Sequence, residues 1–219
     1  MNDRVVMFDL DGTLTDPKPG ITRCIQHALR ALGCVPPSED DLEWCIGPPL
    51  QESFARLLPS PDDILVTQAI AHYRERFSTI GLFENAVYAG VSEALTTLRS
   101  RGYRTYVATS KPRVFALRIL EHFGIAALFD SIHGSELDGT RSNKGDLIAH
   151  LLATEGLDAA QVLMVGDREH DVIGGTKNGV RCIGVTYGYG TASELTKHGA
   201  ARLASDPQQV VVAVEALFA

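Results

Sequence analysis

Two aspartates one residue apart follow an apolar run near the start of the chain. Residues 5–8 read Val-Val-Met-Phe, which predicts a fully buried strand, and Asp9 and Asp11 come directly after it, before the turn at Gly12. Side chains repeat every second residue along a strand, so both carboxylates are expected to point the same way. Because two like charges on one edge repel, a cation between them is the simplest stabiliser. The spacing therefore predicts a cation site at the end of this strand.

Two further strand-like runs also end in polar groups. Residues 103–108 lead into the hydroxyl pair Thr109 and Ser110, and residues 161–165 lead through a glycine to Asp167. In a parallel sheet, ligands bind beyond the carboxyl ends of the strands. We therefore expect these groups to meet the first aspartate pair, although hydroxyls there are also ordinary helix caps.

Two charged residues near predicted helix starts extend this set. Lys144 opens a predicted helix, where a cation is poorly placed for the helix dipole and therefore hints at a bound anion. Asp171 lies in the first turn of another predicted helix, where an acid also complements the dipole. Lys111, two residues after Thr109, is an alternative anion-binding lysine, and the residues alone leave the choice between the two open.

Strands alternate with helices along most of the chain, which predicts an α/β fold with a parallel sheet and right-handed crossovers. Residues 17–85 break this rhythm, because they carry helical apolar stripes and no convincing strand. Residues 17–20 and 85–90 resemble hinges. We predict a Rossmann-like core formed by residues 1–16 and 86–219, with an all-helical insert at 17–85.

Composition narrows the class of protein. The 219 residues are 45% hydrophobic, which suffices for a packed core, and the formal net charge is −7. A net acidic chain disfavours polymeric nucleic acid and anionic membranes as partners. The four cysteines form no CxxC pair and predict reduced thiols in a cytoplasmic protein. The sequence leaves open whether the protein is a monomer or a dimer.

The ordered set of motifs resembles the haloacid dehalogenase superfamily of phosphohydrolases over essentially the whole chain. The run at 9–14, Asp-Leu-Asp-Gly-Thr-Leu, is its most specific part, and the helical insert is similar to the C1-type cap of that family. Residues 46–50 and 187–190 resemble the phosphoglycolate phosphatase-like branch. Gly145 departs from the proline that often follows the lysine in that branch, which weakens the assignment of this one substrate.

The resemblance implies a role for each matched residue. Asp9 would be the nucleophile that forms an aspartyl-phosphate, and Asp11 would be the general acid and then the general base. Mg²⁺ would be held by Asp9, the main-chain carbonyl of Asp11, and Asp167. Thr109 and Lys144 would bind the phosphoryl group. Asp171 would support the metal or orient Lys144. A cap loop at Gly47, Pro48 and Pro49 would select the substrate.

The expected activity is therefore Mg²⁺-dependent hydrolysis of a small phosphorylated metabolite, with phosphoglycolate the first substrate to test. A 5′-nucleotidase is the closest alternative, and a sugar-phosphate mutase is a less favoured one. Asp11 argues against dehalogenation, since dehalogenases lack this second acid. A phosphonatase needs a cap lysine, and Lys18 is the one candidate before Lys111. A non-catalytic phospho-sensor of the receiver type would be about half this length and would lack the insert.

Overall fold

A six-stranded sheet lies at the centre of the larger of two structural units. The computed structural model describes residues 4–60 and 62–219, so the first three residues of the predicted core lie outside the described part. The strands of the described residues are β1 (Val5–Phe8), β2 (Thr15–Asp16), β3 (Ala86–Val87), β4 (Arg104–Pro112), β5 (Ser131–Ser135), β6 (Val162–Gly166), β7 (Arg181–Val185) and β8 (Arg202–Ala204). The six-stranded sheet has the order β5-β4-β1-β6-β7-β8, all its neighbouring strands are parallel, and β2 and β3 lie outside it.

Strand β1 is the point where the strand order reverses. It pairs with β4 on one side and with β6 on the other, in register from Val5 to Phe8. All four of its residues are buried, which explains why the strand carries an unbroken apolar run instead of alternating residues. Open α/β sheets bind ligands at such a switch point, beyond the carboxyl end of the strand. The aspartate pair follows β1 at this place.

Helices connect the strands and cover the sheet. The helices are α1 (Lys18–Ala31), α2 (Leu50–Leu57), α3 (Asp63–Phe77), α4 (Val91–Ser100), α5 (Arg113–His122), α6 (Lys144–Glu155), α7 (Glu169–Lys177), α8 (Ala192–Lys197) and α9 (Pro207–Phe218). One buried cluster joins residues of β1, β4, β6 and β7 to Leu147, Ile148 and Leu151 of α6 and to Val172 of α7. The spacing of these α6 residues matches a helix with one face on the sheet. No helix among the described residues is both long and apolar enough to cross a membrane.

The smaller unit is the insert. The chain divides into Met1–Asp16 with Val87–Ala219, and Pro17–Ala86. The described part of residues 17–85 contains α1, α2, α3 and short 3-10 helices at Asp40–Cys45 and Gly81–Phe83, and no strand. Its core includes Tyr73, which is buried and packs against Phe54 and Phe77.

The proposed substrate-selecting loop belongs to this insert. Gly47, Pro48 and Pro49 are each partly buried and connect the first 3-10 helix to α2. Gly47 has φ of 104°, a conformation that favours glycine. The prediction that this loop selects substrate stays a prediction.

Candidate active site

The ends of three strands and the start of one helix bring the sequence-predicted residues of the larger unit together. Asp9 follows β1, Thr109 lies near the end of β4, Asp167 follows β6, and Lys144 is the first residue of α6. All four are buried. Polar side chains that are buried together at one edge of a sheet need hydrogen-bond or ionic partners inside the protein. The contacts between these side chains therefore describe the site.

The loop after β1 depends on a glycine. The main-chain N–H of Asp9 donates to Val165 O at 2.9 Å, and the N–H of Gly12 donates to Thr15 O at 2.8 Å, which closes the turn. Gly12 has φ of +81°, and a Cβ atom there would lie 2.2 Å from Oδ2 of Asp167. Glycine is therefore required twice, for its conformation and for the close approach of a carboxylate.

Lys144 is the buried cation of the site. Its Nζ lies 2.8 Å from Oδ1 of Asp9 and 2.8 Å from Oδ1 of Asp171, and it donates to Ala108 O at 2.9 Å. Burial by itself would lower the pKa of this ammonium, but the charges of Asp171 and Asp9 outweigh it and raise the pKa. Lys144 is therefore protonated at neutral pH and joins two aspartates to β4.

Three buried carboxylates form a group that fits a metal ion. One oxygen each of Asp9, Asp167 and Asp171 lies within 4.8 Å of the others. Burial raises the pKa of Asp167 well above its usual value, and the charges of Asp171 and Asp9 add to this effect. Burial also raises the pKa of Asp171, which the charge of Lys144 partly offsets. Carboxylates held together against repulsion are ligands suited to a hard divalent cation.

Both oxygens of Asp171 already have partners. Oδ1 faces Lys144, and Oδ2 accepts from the main-chain N–H of Arg168 at 3.1 Å, at the start of α7. Asp171 thus contacts Lys144 and the start of α7, and its role in orienting this lysine or supporting a metal stays a prediction.

The net charge of the buried side chains at the site also favours a bound cation. Four aspartates and two lysines are buried or nearly so, which gives a local charge of −2 when all are ionised. The six are Asp9, Asp11, Lys111, Lys144, Asp167 and Asp171. One divalent cation would balance this charge.

Asp167 is held by a loop that the sequence did not identify as part of the site. The N–H of Tyr189 donates to Oδ2 of Asp167 at 2.8 Å, and the hydroxyl of Thr13 lies 3.5 Å from Oδ1. Cβ atoms on Gly188 and Gly190 would lie 2.5 Å and 1.8 Å from atoms of Asp167, so no other residue fits at either position. The signal in the sequence is the pair of alternating glycines after β7, which indicates a close backbone approach.

Lys111 also reaches the aspartate pair. Its Nζ lies 2.7 Å from Oδ2 of Asp11, with 7% and 11% of the two side chains exposed. Burial raises the pKa of Asp11, and Lys111 partly offsets this effect. Each aspartate of the pair therefore has its own lysine, Lys144 for Asp9 and Lys111 for Asp11. The choice between two lysines made from the sequence did not anticipate this division.

Thr109 lies in a strand and not at a helix start. Strand β4 continues to Pro112, and α5 begins at Arg113 without a side-chain cap, so neither hydroxyl of the pair caps this helix. The pairing of Thr109 with Gly134 of β5 keeps the strand extended. The hydroxyl of Thr109 accepts from the N–H of Lys111 at 3.3 Å.

The comparison with protein families gives one match over most of the chain. Residues 6–185 match the family described as haloacid dehalogenase-like hydrolase. Among solved structures, a predicted phosphatase from Clostridium acetobutylicum is similar with a TM-score of 0.93 and 40% identity, over 97% of this chain and 98% of that one.

Three relatives carry different names. A 5′-nucleotidase from Pseudomonas aeruginosa is 52% identical over 88% of this chain and 87% of its own length. Tyrosine-protein kinase PtkA from Mycobacterium tuberculosis is 39% identical over 89% of this chain, which spans 66% of that relative. A phosphoglycolate phosphatase from Pseudomonas putida is 30% identical over 98% of this chain and 78% of its own length.

Replacing Asp167 tests the electrostatic cost of the carboxylate group. Folded Asp167 keeps its proton to higher pH than the unfolded chain does, so the free energy of unfolding falls as the pH rises from about 3.8 through the raised pKa. In chelator at neutral pH, Asp167→Asn should therefore be more stable than the wild type, because the amide carries no charge to bury beside Asp171 and Asp9. Urea denaturation at neutral and acidic pH measures this, and the gap should close in acid.

Asp146→Asn is the matched control for this change. The Asp146 side chain is 63% exposed on α6, so its replacement should change stability by less than about 0.5 kcal/mol. Equal stability of all three proteins at neutral pH would show that burial of Asp167 carries no electrostatic cost.

Proposed function

Because this chain belongs to the haloacid dehalogenase-like hydrolase family and is a phosphoric monoester hydrolase, we propose that it acts on small phosphomonoesters through a phosphorylated Asp9 and requires Mg²⁺. One observation carries the proposal. The carboxylate of Asp9 contacts the buried ammonium of Lys144 and belongs to the carboxylate group with Asp167, while Asp11 stands two residues away. This supports a nucleophile, a phosphate-binding cation, a metal site and a proton donor within one site.

The first chemical step is attack by Asp9. A carboxylate oxygen of Asp9 forms a bond to phosphorus while the bond from phosphorus to the leaving oxygen breaks. Lys144 and the hydroxyl of Thr109 would bind oxygens of the phosphoryl group and stabilise the charge that spreads over them. Lys144 suits this role because its ammonium stays protonated and is fixed by three buried oxygens.

Asp11 would act first as the general acid and then as the general base. Its Oδ1 is buried and has no hydrogen-bond partner, so one carboxylate oxygen is left to give a proton to the leaving oxygen. The raised pKa of Asp11 favours its protonated form, as a general acid requires. In the second step Asp11 would take a proton from the water that attacks phosphorus, and phosphate leaves as Asp9 is restored.

The metal site would use Asp9, Asp167 and the main-chain carbonyl of Asp11. When bound, Mg²⁺ would supply positive charge that reduces the repulsion between these carboxylates and an incoming phosphate. Glycines at 12, 188 and 190 support this role, because they hold Asp167 close to the loop that carries the aspartate pair.

The names of the relatives support an order of substrates. Phosphoglycolate is the first substrate that the sequence predicts, but the phosphoglycolate phosphatase from Pseudomonas putida is 30% identical, against 52% for the 5′-nucleotidase. Gly145, which replaces the usual proline, already weakened the phosphoglycolate assignment. We therefore place nucleoside monophosphates first and phosphoglycolate second, with the loop at Gly47, Pro48 and Pro49 as the proposed selector.

Other reactions are less well supported. A phosphonatase needs a neutral amine to form a Schiff base, but Lys18 contacts Asp40 and Glu43, and these hydrogen bonds raise its pKa. The relative named tyrosine-protein kinase supports a kinase as the second candidate activity. All four cysteines are free, which supports the proposed cytoplasmic location.

Phosphate release from a panel of substrates tests the proposed function. We expect release from adenosine 5′-monophosphate with a kcat/KM at least about tenfold above that for phosphoglycolate, and loss of release in chelator that returns with Mg²⁺. Higher kcat/KM for phosphoglycolate would reverse the substrate order and keep the mechanism. No Mg²⁺-dependent release from any member would contradict the proposal, and phosphotyrosine formed from ATP would favour the kinase.

Asp9→Asn tests the nucleophile. The amide keeps the size of the side chain and an oxygen for Lys144 but is a poor nucleophile, so kcat should fall by at least about 10³-fold while the thermal midpoint changes little. Steady-state phosphate release and thermal denaturation are the measurements. Asp146→Asn serves as the exposed control and should keep wild-type kcat. Substantial turnover by Asp9→Asn would place the nucleophile elsewhere.

A further inference from the structure

The two carboxylate oxygens of Asp11 have different surroundings. Oδ2 lies 2.7 Å from Nζ of Lys111, and both side chains are nearly buried. Oδ1 is also buried but has no hydrogen-bond partner. A buried acceptor without a partner costs free energy, so this asymmetry calls for a functional reason.

An irregularity in β4 places Lys111 against Asp11. Thr109 pairs with Gly134, but the next pair is Pro112 with Ser135, so β4 advances three residues while β5 advances one. The hydroxyl of Ser135 donates to Ser110 O at 2.7 Å and fixes the extra residues. Bulges of this kind redirect side chains and are frequent beside active sites.

The main chain of Lys111 is fixed from the other side by Gly134. A Cβ atom on Gly134 would lie 2.6 Å from Lys111 O, so β5 needs glycine there to let the bulge approach. The main chain of Lys111 is thus fixed at the sheet edge, so pairing with Asp11 orders its side chain without ordering further backbone.

We propose that Lys111 is a positioning residue for Asp11: its ammonium holds Oδ2, so that the proton is carried and exchanged by Oδ1 facing the leaving oxygen. The inference rests on the proposed phosphatase function and assigns a task to a lysine that has none in it. In the transfer, the bond from Oδ1 to hydrogen breaks and a bond from hydrogen to the leaving oxygen forms. Lys111 keeps all its protons throughout.

A leaving-group comparison separates this role from phosphate binding. A nitrophenolate leaves without a proton, whereas the ribose oxygen of adenosine 5′-monophosphate needs one. For Lys111→Met, the single-turnover rate of Asp9 phosphorylation should fall at least about tenfold more with adenosine 5′-monophosphate than with p-nitrophenyl phosphate, since general acid catalysis contributes about 10²-fold or more. Asp11→Asn should show the same selectivity, and the double variant should be no slower than Asp11→Asn alone.

Two further variants keep the test decisive. Lys177→Met removes an exposed lysine and should leave both rates unchanged. Lys111→Arg keeps the charge and should recover part of the loss in rate. Thermal denaturation shows whether Lys111→Met is folded, and if it is not, Lys111→Arg takes its place in the comparison of the two substrates.

Three different results would contradict the role proposed for Lys111. Equal losses on both substrates, added to the loss from Asp11→Asn, would make Lys111 a phosphate-binding residue and overturn the proposal. Unchanged rates in Lys111→Met would also overturn it. A wild-type protein without Mg²⁺-dependent release from adenosine 5′-monophosphate, phosphoglycolate or p-nitrophenyl phosphate would overturn the proposed function itself, and this inference with it.

Discussion

The buried ammonium of Lys144, 2.8 Å from both Asp9 and Asp171, is the contact on which the arrangement of the site depends. Each of these aspartates is buried beside further negative charge, and without a cation their mutual repulsion would favour protonation or opening of the sheet edge. The third contact of Lys144, to Ala108 O, ties this charge to the central strands. One side chain thus joins β1, β4, α6 and the start of α7.

The arrangement of the site also depends on the geometry of the backbone around Asp167. Asp167 reaches the aspartate loop because Gly12, Gly188 and Gly190 carry no Cβ atom at the points of closest approach. The buried carboxylate remains costly, as its raised pKa indicates. In the proposed function, the stability lost by concentrating like charges in the unliganded protein would be recovered as affinity toward a divalent cation and a phosphoryl group. The β-bulge that directs Lys111 onto Asp11 belongs to the same arrangement.

Much of the fold could be predicted because its signals are local. The unbroken apolar run before Asp9 predicts the central strand, and the alternation of strands with helices predicts the parallel sheet. Lys144 and Asp171 were placed at helix starts from the same kind of local pattern. The contact of Lys111 with Asp11 could not be predicted, because it depends on how β4 shifts its pairing with β5. The support of Asp167 by the N–H of Tyr189 is a main-chain contact, so its signal in the sequence is confined to the flanking Gly188 and Gly190.

The central claim is that the phosphoryl group passes through Asp9, and chemical trapping tests it most directly. Protein mixed with Mg²⁺ and adenosine 5′-monophosphate would be quenched during turnover and reduced with borohydride, which converts an aspartyl-phosphate to homoserine. Mass spectrometry of the peptide that contains residues 5–16 should show homoserine at position 9 and an unmodified position 11. Reduction at another aspartate, or an acid-stable phosphotyrosine with no change at position 9, would contradict the account.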